Sequence, residues 1–185
     1  HAIMNVCEPR IDRFLVDATY ACRRGKGTTA ALLHAQRLAR RYRFVLKLDI
    51  ARWRRPAPDT TPWRAKAAGL YMICTLSKHE AEAKGFADAM MYDWRGLVAE
   101  ATGANIFFVK DNKLFTPHPD CFLNGITRQT VMDLARNRQI EVVEKYIQSS
   151  EVGGFEQCFL TGSAAEVSPV GQIGDWKFEV GAITR

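Results

Sequence analysis

The chain has 185 residues, of which 47% are hydrophobic and 25% are charged, proportions that are typical of a soluble globular protein rather than a disordered one. No apolar run approaches the roughly 20 residues needed to cross a bilayer, and the first residues lack the basic segment and apolar core of a secretory signal. We therefore expect a cytoplasmic protein with no membrane partner.

The net charge of +6 is distributed unevenly along the chain. Residues 1–66 contain 15 Lys and Arg against 5 Asp and Glu, whereas the remaining residues contain 11 against 15. A basic region of this kind can bind nucleic acid. However, Arg37, Arg40 and Arg41 fit the solvent side of an amphipathic helix whose other face is apolar. We favour the solvated helix face and expect no nucleic-acid partner.

The five cysteines are widely scattered, are odd in number and form no C-x-x-C pair. The four histidines are equally dispersed. These spacings do not suit a disulfide framework or a zinc site. We expect a reduced compartment and no bound metal.

The first 55 residues are predicted to form a small α/β domain. Its predicted elements are a strand at residues 3–6, helices at 9–22 and 28–43, and an alternating strand in "RFVLKLDIA", residues 43–51. The following segment "RRPAPDTTP" contains three prolines, which disfavour both helices and central strands. Residues 56–63 are therefore predicted to be a linker between two domains.

Residues 64–185 are predicted to form a larger domain of mixed α and β structure. Its predicted elements are a helix at 63–84, short strands with turns at "WRG" and "KDNK" over 86–116, a helix at 127–138, and strands in "IEVVEKYI", "CFLTG" and "EVSPV". The sequence shows no internal repeat or low-complexity tract.

Four segments of this larger domain carry candidate site residues. In "RAKAAGLY", Lys66 lies among small side chains that leave room for a ligand, although a helix residue is the alternative. In "LVAEATGANIFFV", Glu100 interrupts an apolar run, and alternation places it on the strand face of Val98 and Thr102. The alternative is a strand-end carboxylate in water.

Two glycine turns complete the set of candidate segments. "NGITRQT" precedes a predicted helix, with a threonine that can cap it, and a helix amino terminus binds phosphate well. "LTGSAAEVSP" exposes backbone N–H groups that no large side chain blocks. Each pattern alone is more often a capped helix or a tight turn.

In this order and at these intervals, the four segments resemble the fold-type IV pyridoxal-phosphate enzymes, most closely the branched-chain amino-acid aminotransferases. The resemblance covers residues 52 to about 175. It implies a two-domain α/β (α+β mixed) fold with a small amino-terminal α/β domain and a larger domain containing a barrel-like mixed sheet. It also implies a homodimer that binds pyridoxal 5'-phosphate between the domains.

The resemblance assigns a role to each candidate residue. Lys66 would form the Schiff base with the cofactor aldehyde and later carry the substrate α-proton, which requires a readily deprotonated amine. Glu100 would pair with the pyridine nitrogen and maintain the ring as an electron sink. The hydroxyl of Tyr71 would lie near the phenolic oxygen of the cofactor.

The remaining assignments concern the phosphate and the substrate. Ile126 and Thr127 match the phosphate-binding turn at a helix start. Ser163 and Ala164 match a second turn that contacts the phosphate and the substrate carboxylate. Arg13, in "IDRFLVDA", matches a phosphate-binding arginine.

Several positions depart from the family pattern. Leu70 stands where many members have asparagine, and Ser163 stands where threonine is usual. Asn112 stands where a hairpin glycine is common, and asparagine tolerates the positive φ of such a turn. Between Arg13 and Trp53 the chain is shorter than in the family and lacks a matching Tyr-x-Arg element of the substrate pocket. Relatives usually continue beyond the final "GAITR" into a further helix.

The resemblance implies amino transfer between a branched-chain L-amino acid and 2-oxoglutarate. The alternatives are D-amino-acid transamination, aminodeoxychorismate lysis, a non-catalytic or truncated descendant that retains the fold and, least favoured, a basic nucleic-acid-binding module. The substrates would be small amino acids and 2-oxo acids.

Overall fold

The fold is known from a computed structural model, which describes residues 45–181, 183 and 184. The predicted strand at 3–6, the predicted helices at 9–22 and 28–43, and Arg13 lie outside these residues. Within the described part of the chain, no helix has the length and apolar composition that crossing a membrane requires.

The described elements are nine strands, two α-helices and two 3₁₀ turns. The strands are β1 (Leu46–Ile50), β2 (Asp88–Tyr92), β3 (Val98–Ala101), β4 (Asn105–Lys110), β5 (Lys113–Pro117), β6 (Val142–Lys145), β7 (Gln157–Gly162), β8 (Glu166–Ile173) and β9 (Trp176–Lys177). The helices are α1 (Met72–Ala83) and α2 (Ile126–Asn137), with 3₁₀ turns at Ala68–Tyr71 and Ser149–Gly154.

The nine strands form one mixed sheet in the order β3-β2-β1-β8-β7-β4-β5-β6, with β9 paired to β8. β1 runs parallel to both β2 and β8, and β5 runs parallel to β6. The other strand pairs are antiparallel. The predicted mixed α and β class is therefore confirmed.

The two ends of the sheet meet. The Val98 N–H at the start of β3 donates to the Ile147 carbonyl, just beyond β6, at 2.9 Å. Leu97 and Gln148 form a bridge beside this bond. Because β3 and β6 stand at opposite ends of the strand order, the sheet curls upon itself like a barrel.

Side chains pack on both faces of the curled sheet because they alternate along each strand. On β4, Ile106 and Phe108 belong to the main core cluster, whereas Phe107 and Val109 pack with Met132 of α2. α1 packs through Cys74 and Ala81 against Ala89 and Met91 of β2. Both helices are therefore attached to the sheet by an apolar face.

Most predicted elements of this part match the structure. The strands predicted at 43–51 and over 86–116, the later strands, and the helix predicted at 127–138 all have counterparts within a few residues. Asp111 and Asn112, in the "KDNK" turn, have φ values of 49° and 58°. Asn112 therefore adopts the positive φ expected where relatives have glycine.

The helix predicted over residues 63–84 is wrong in its first part. Residues 63–65 form a turn and a bend, residues 66 and 67 are irregular, and the α-helix begins only at Met72, after the 3₁₀ turn at Ala68–Tyr71. Residues 64–69 are exposed, so no apolar face packs on the sheet to stabilise a helix there. The predicted segment therefore divides into a loop carrying Lys66 and a helix.

β1 lies within residues 1–55, the range predicted for the small domain. The unit that the structure describes begins at Val45, whereas the small domain was predicted to extend to residue 55. β1 pairs with β2 and β8 and is therefore part of the large sheet. Alternation predicted the strand correctly, but it contains no information about the partner strands.

Candidate functional site

One cavity of about 310 Å³ combines most of the candidate residues. Its lining comes from the loop before α1, the β3–β4 turn, the start of α2 and the β7–β8 turn. The lining residues are Lys66, Tyr71, Glu100, Thr102, Gly103, Ala104, Asn105, Leu123, Asn124, Gly125, Ile126, Thr127, Thr161, Gly162 and Ser163. This volume is at the lower end of the range for small-molecule sites.

Sheet pairing brings the two glycine-containing turns of the cavity together. Asn105 of β4 lies opposite Thr161 of β7, so the β3–β4 and β7–β8 turns emerge at the same edge. A Cβ on Gly162 would lie 3.4 Å from the carbonyl oxygen of Gly103. The small residues at this edge therefore allow the two turns to approach closely.

Glu100 is the buried acid of the cavity, with 8% of its surface exposed. Burial raises the pKa of its carboxyl group to about 8, an effect that nearby Arg55 opposes and Asp88 reinforces. Thr102 lines the same cavity, whereas Val98 packs into the main core. The strand register shifts between Met91 and Tyr92, and this bulge breaks the simple alternation that grouped Val98 with Glu100.

Arg55 is the cation beside Glu100. Its Nε lies 3.2 Å from Oε1 of Glu100, although it makes no aligned hydrogen bond among the described residues. Its Nη1 donates to the Leu70 carbonyl and to the Cys74 Sγ, each at 3.1 Å. Arg55 therefore connects the loop between Lys66 and Tyr71 to the buried carboxyl group.

Lys66 and Tyr71 enter the cavity from this loop. The side chain of Lys66 is exposed to solvent, and that of Tyr71 is half-buried. Burial raises the pKa of the Tyr71 hydroxyl above its ordinary value, and Glu100 adds to the increase. Tyr71 therefore keeps its proton at neutral pH and can donate a hydrogen bond.

The start of α2 forms the opposite wall. Gly125 precedes the helix and has no side chain with which to cap it, so the first turn retains N–H groups that can bind an anion. The sequence suggested that a threonine caps this helix. Thr127 is instead the second residue of α2, and it lines the cavity.

Arg128 fixes α2 from within the protein and is completely buried. Its guanidinium donates to Oδ1 of Asn124 at 2.8 Å, to the Pro117 carbonyl at 3.0 Å and to Oε2 of Glu144 at 2.7 Å. Asn124 lines the cavity. This arginine therefore determines where the start of the helix lies relative to the sheet.

Two predicted residues are not part of this group. Ala164 lines a neighbouring cavity of about 420 Å³, together with Tyr71 and Thr102, because consecutive residues of the β7–β8 turn face different sides. Arg13 lies outside the described residues. Lys66, Tyr71, Glu100, Ile126, Thr127 and Ser163 share the first cavity.

The sequence-based prediction missed Arg55 and Asn105. Arg55 stands in a proline-rich segment that has the composition of an exposed linker. Asn105 could have been found, because it is a polar residue beside an apolar strand run, the same signal that selected Glu100. Chemically, the cavity offers an amine, a buried carboxyl group, a phenol and an anion-binding helix start.

Comparisons with known proteins identify the family of this chain. Residues 16–173 match the family model described as amino-transferase class IV. A probable branched-chain-amino-acid aminotransferase of Rickettsia felis is 43% identical over 136 residues, which is 74% of this chain and 47% of that protein. The chain spans about half the length of the curated relatives it matches.

Two solved structures have the same curled mixed sheet. The branched-chain aminotransferase of Thermoproteus uzoniensis with norvaline has a TM-score of 0.73 at 35% identity, over 76% of this chain and 48% of its own. An aminotransferase of Brucella abortus bound to the cofactor PLP has a TM-score of 0.72 at 35% identity, over 76% and 50%. The predicted fold type is confirmed, and the chain belongs to the class IV aminotransferases.

Proposed function

We propose that this cavity binds pyridoxal 5'-phosphate and that the protein transfers amino groups between a branched-chain L-amino acid and 2-oxoglutarate. The observation that carries the proposal is the presence of Lys66, Glu100 and the start of α2 in one cavity. An aromatic aldehyde phosphate needs an amine, a partner for its ring nitrogen and an anion site, and these residues supply all three.

The described residues fit the two ends of the cofactor. The phosphate would lie at the first turn of α2, near Ile126 and Thr127, where free N–H groups and the helix dipole favour negative charge. Ser163 offers a hydroxyl from the opposite turn. We further propose that Ala164 contributes to the substrate side.

Glu100 would face the ring nitrogen. Because the pKa of its carboxyl is raised to about 8, this group can hold or release a proton near neutral pH at its Oε atoms. A bound cationic ring would favour the ionised carboxylate. Glu100 would thereby keep the ring nitrogen protonated, and Arg55 would hold the carboxyl group in position.

The cofactor, when bound, supplies an electron sink for the carbanion formed at the substrate α-carbon. Lys66 would attach the cofactor through Nζ and, after the substrate amine displaces it, would move the α-proton. The protonated hydroxyl of Tyr71 would donate a hydrogen bond to the phenolic oxygen of the cofactor. Both Lys66 and Tyr71 line the cavity.

The choice of substrate rests on the relatives, whose names specify branched-chain amino acids. We also propose a two-domain homodimer in the cytoplasm. The cytoplasmic location is supported by the free cysteines Cys74, Cys121 and Cys158. The homodimer is supported by the family resemblance alone.

The first experiment tests cofactor attachment. The purified chain mixed with pyridoxal 5'-phosphate should develop an absorption band near the edge of the visible range, and borohydride reduction should fix the cofactor on the peptide containing Lys66. Lys66→Ala should abolish both signals, whereas Lys177→Ala, which changes an exposed lysine on β9, should keep them. A band that survives Lys66→Ala would refute the assignment of the amine.

The second experiment identifies the reaction. Formation of glutamate from L-leucine and 2-oxoglutarate supports the proposal. Turnover confined to D-amino acids, or release of pyruvate from aminodeoxychorismate, would replace it with another reaction of this fold type. A cofactor that binds without any turnover would indicate a non-catalytic descendant.

A further inference from the structure

Asn105 stands between the two ends of the candidate site. It is the first residue of β4 and is 6% exposed. Its Nδ2 donates to the Leu123 carbonyl at 3.0 Å and to Oε2 of Glu100 at 3.4 Å, and its Oδ1 accepts from the Gly125 N–H at 3.2 Å. One side chain therefore contacts both the buried carboxyl group and the residue that precedes α2.

These contacts require a carboxamide. A carboxamide has two donor hydrogens and an acceptor oxygen on one planar group, whereas aspartate lacks the donors and leucine lacks both. The Gly125 N–H can only be met by Oδ1, so Nδ2 is directed towards Glu100 and Leu123. The backbone of Asn105 is held in the sheet opposite Thr161, and the amide therefore starts from a fixed position.

Gly125 provides a second and independent observation. Its φ of −61° and ψ of 144° are accessible to any residue, so the backbone conformation does not require glycine. A Cβ at this position would lie only 2.5 Å from Oδ1 of Asn105. Glycine is needed here because Oδ1 of Asn105 packs directly against the backbone of Gly125.

We propose that Asn105 is a positioning residue that sets the separation between the Glu100 carboxyl group and the first turn of α2. This inference rests on the proposed function, in which these two groups bind opposite ends of one rigid cofactor. Arg55 still holds Glu100 and Arg128 still holds α2 without this amide, but each group loses its link to the other, so binding at the phosphate end and binding at the ring-nitrogen end weaken together.

Titration of the full chain with three probes tests this coupling. Pyridoxal 5'-phosphate occupies both ends, pyridoxal lacks the phosphate, and inorganic phosphate occupies the helix start alone. Asn105→Leu should weaken the binding of pyridoxal and of inorganic phosphate by about tenfold or more each. A change of this size is expected when a hydrogen bond to a charged or ligand-binding group is lost. Asn105→Ser, which removes the same contacts with a smaller change in polarity, should give the same pattern.

Gln157→Leu is a matched control. Gln157 is the first residue of β7, at the end of this strand remote from the cavity. Its Oε1 accepts from the Gly181 N–H at 3.1 Å, and its amide packs against that glycine as the amide of Asn105 packs against Gly125. Its loss should lower stability without changing the affinity for any probe. In addition, Gly125→Ala should destabilise the native protein but be tolerated together with Asn105→Ser, which removes the obstructing oxygen.

The outcomes separate this inference from the proposed function. If the unchanged protein binds none of the probes, both are overturned. If it binds them, and the Asn105 variants retain the original affinity for either pyridoxal or phosphate, only the coupling is overturned. Parallel weakening at both ends, with Gln157→Leu unchanged, establishes the positioning role.

Discussion

The Nε atom of Arg55 lies 3.2 Å from Oε1 of Glu100, and both side chains are at least nine-tenths buried. Burial nevertheless raises the pKa of Glu100 from its ordinary value of 4.5 to about 8. The loss of hydration of the carboxylate therefore outweighs the attraction of the neighbouring guanidinium. The protonation state of Glu100 therefore depends on pH near neutrality.

Glu100 should make stability decrease as pH rises from about 4.5 to about 8. In this range the folded state retains a proton that the unfolded state has released, so the contribution of Glu100 is complete at low pH and is lost as pH passes through the folded pKa. The slope for one proton is at most about 1.4 kcal/mol per pH unit. Urea unfolding of the wild type and Glu100→Gln should show this slope only in the wild type.

Arg55→Met should shift the titration of Glu100 to still higher pH. Arg55 lowers the pKa of this carboxyl group, so its removal leaves burial less opposed. The pH range of declining stability should extend upward by comparison with the wild type. Arg52→Met is the control, because Arg52 is mostly exposed and pairs with Glu80 instead. An unchanged range in Arg55→Met would contradict the electrostatic link.

Arg128→Met should destabilise the protein by about 3–5 kcal/mol, because it leaves polar partners of a buried cation unpaired. Arg136→Met, on the same helix, should change the free energy of unfolding by about 0.5 kcal/mol or less, because Arg136 forms an exposed pair with Asp133. Guanidinium unfolding of both variants measures the difference. Equal losses of unfolding free energy in the two variants would show that the buried contacts of Arg128 stabilise the protein no more than the exposed pair of Arg136 does.

Gly125→Ala should cost about 1–3 kcal/mol, the usual range for overpacking, because its Cβ meets Oδ1 of Asn105 at 2.5 Å. Gly69→Ala provides the comparison, since a Cβ there has no described atom within 4 Å. Thermal unfolding should show a lower midpoint for the first variant alone. Equal midpoints would mean that Asn105 moves aside without cost.

Local sequence signals marked the candidate segments of the site, but the family resemblance assigned the roles of their residues. The segments around Lys66, Glu100, Thr127 and Ser163 each contain turn or strand signals, and the structure brings these residues into one cavity. Local patterns cannot specify which strands become neighbours, however. The alternation in β1 was clear, but it did not indicate that β1 pairs with β2 and β8.

The remaining errors have specific physical causes. The loop at Lys66 resembles a helix in composition, but it has no packed apolar face, and Arg55 binds the Leu70 carbonyl within it. Arg55 itself appears in a proline-rich segment, yet its backbone N–H donates to the Tyr92 carbonyl at 2.8 Å, which attaches the segment to the sheet beside β2. The missing packing at the Lys66 loop and the burial of Arg55 both depend on distant parts of the sheet, which local sequence does not specify.

The bond from the Val98 N–H to the Ile147 carbonyl has a consequence beyond the shape of the sheet. A free strand edge exposes N–H and C=O groups that can pair with another copy of the chain and start aggregation. The contact covers part of the edge of β3, which is only four residues long. The strand that carries the buried acid of the site is thereby shielded from intermolecular β pairing.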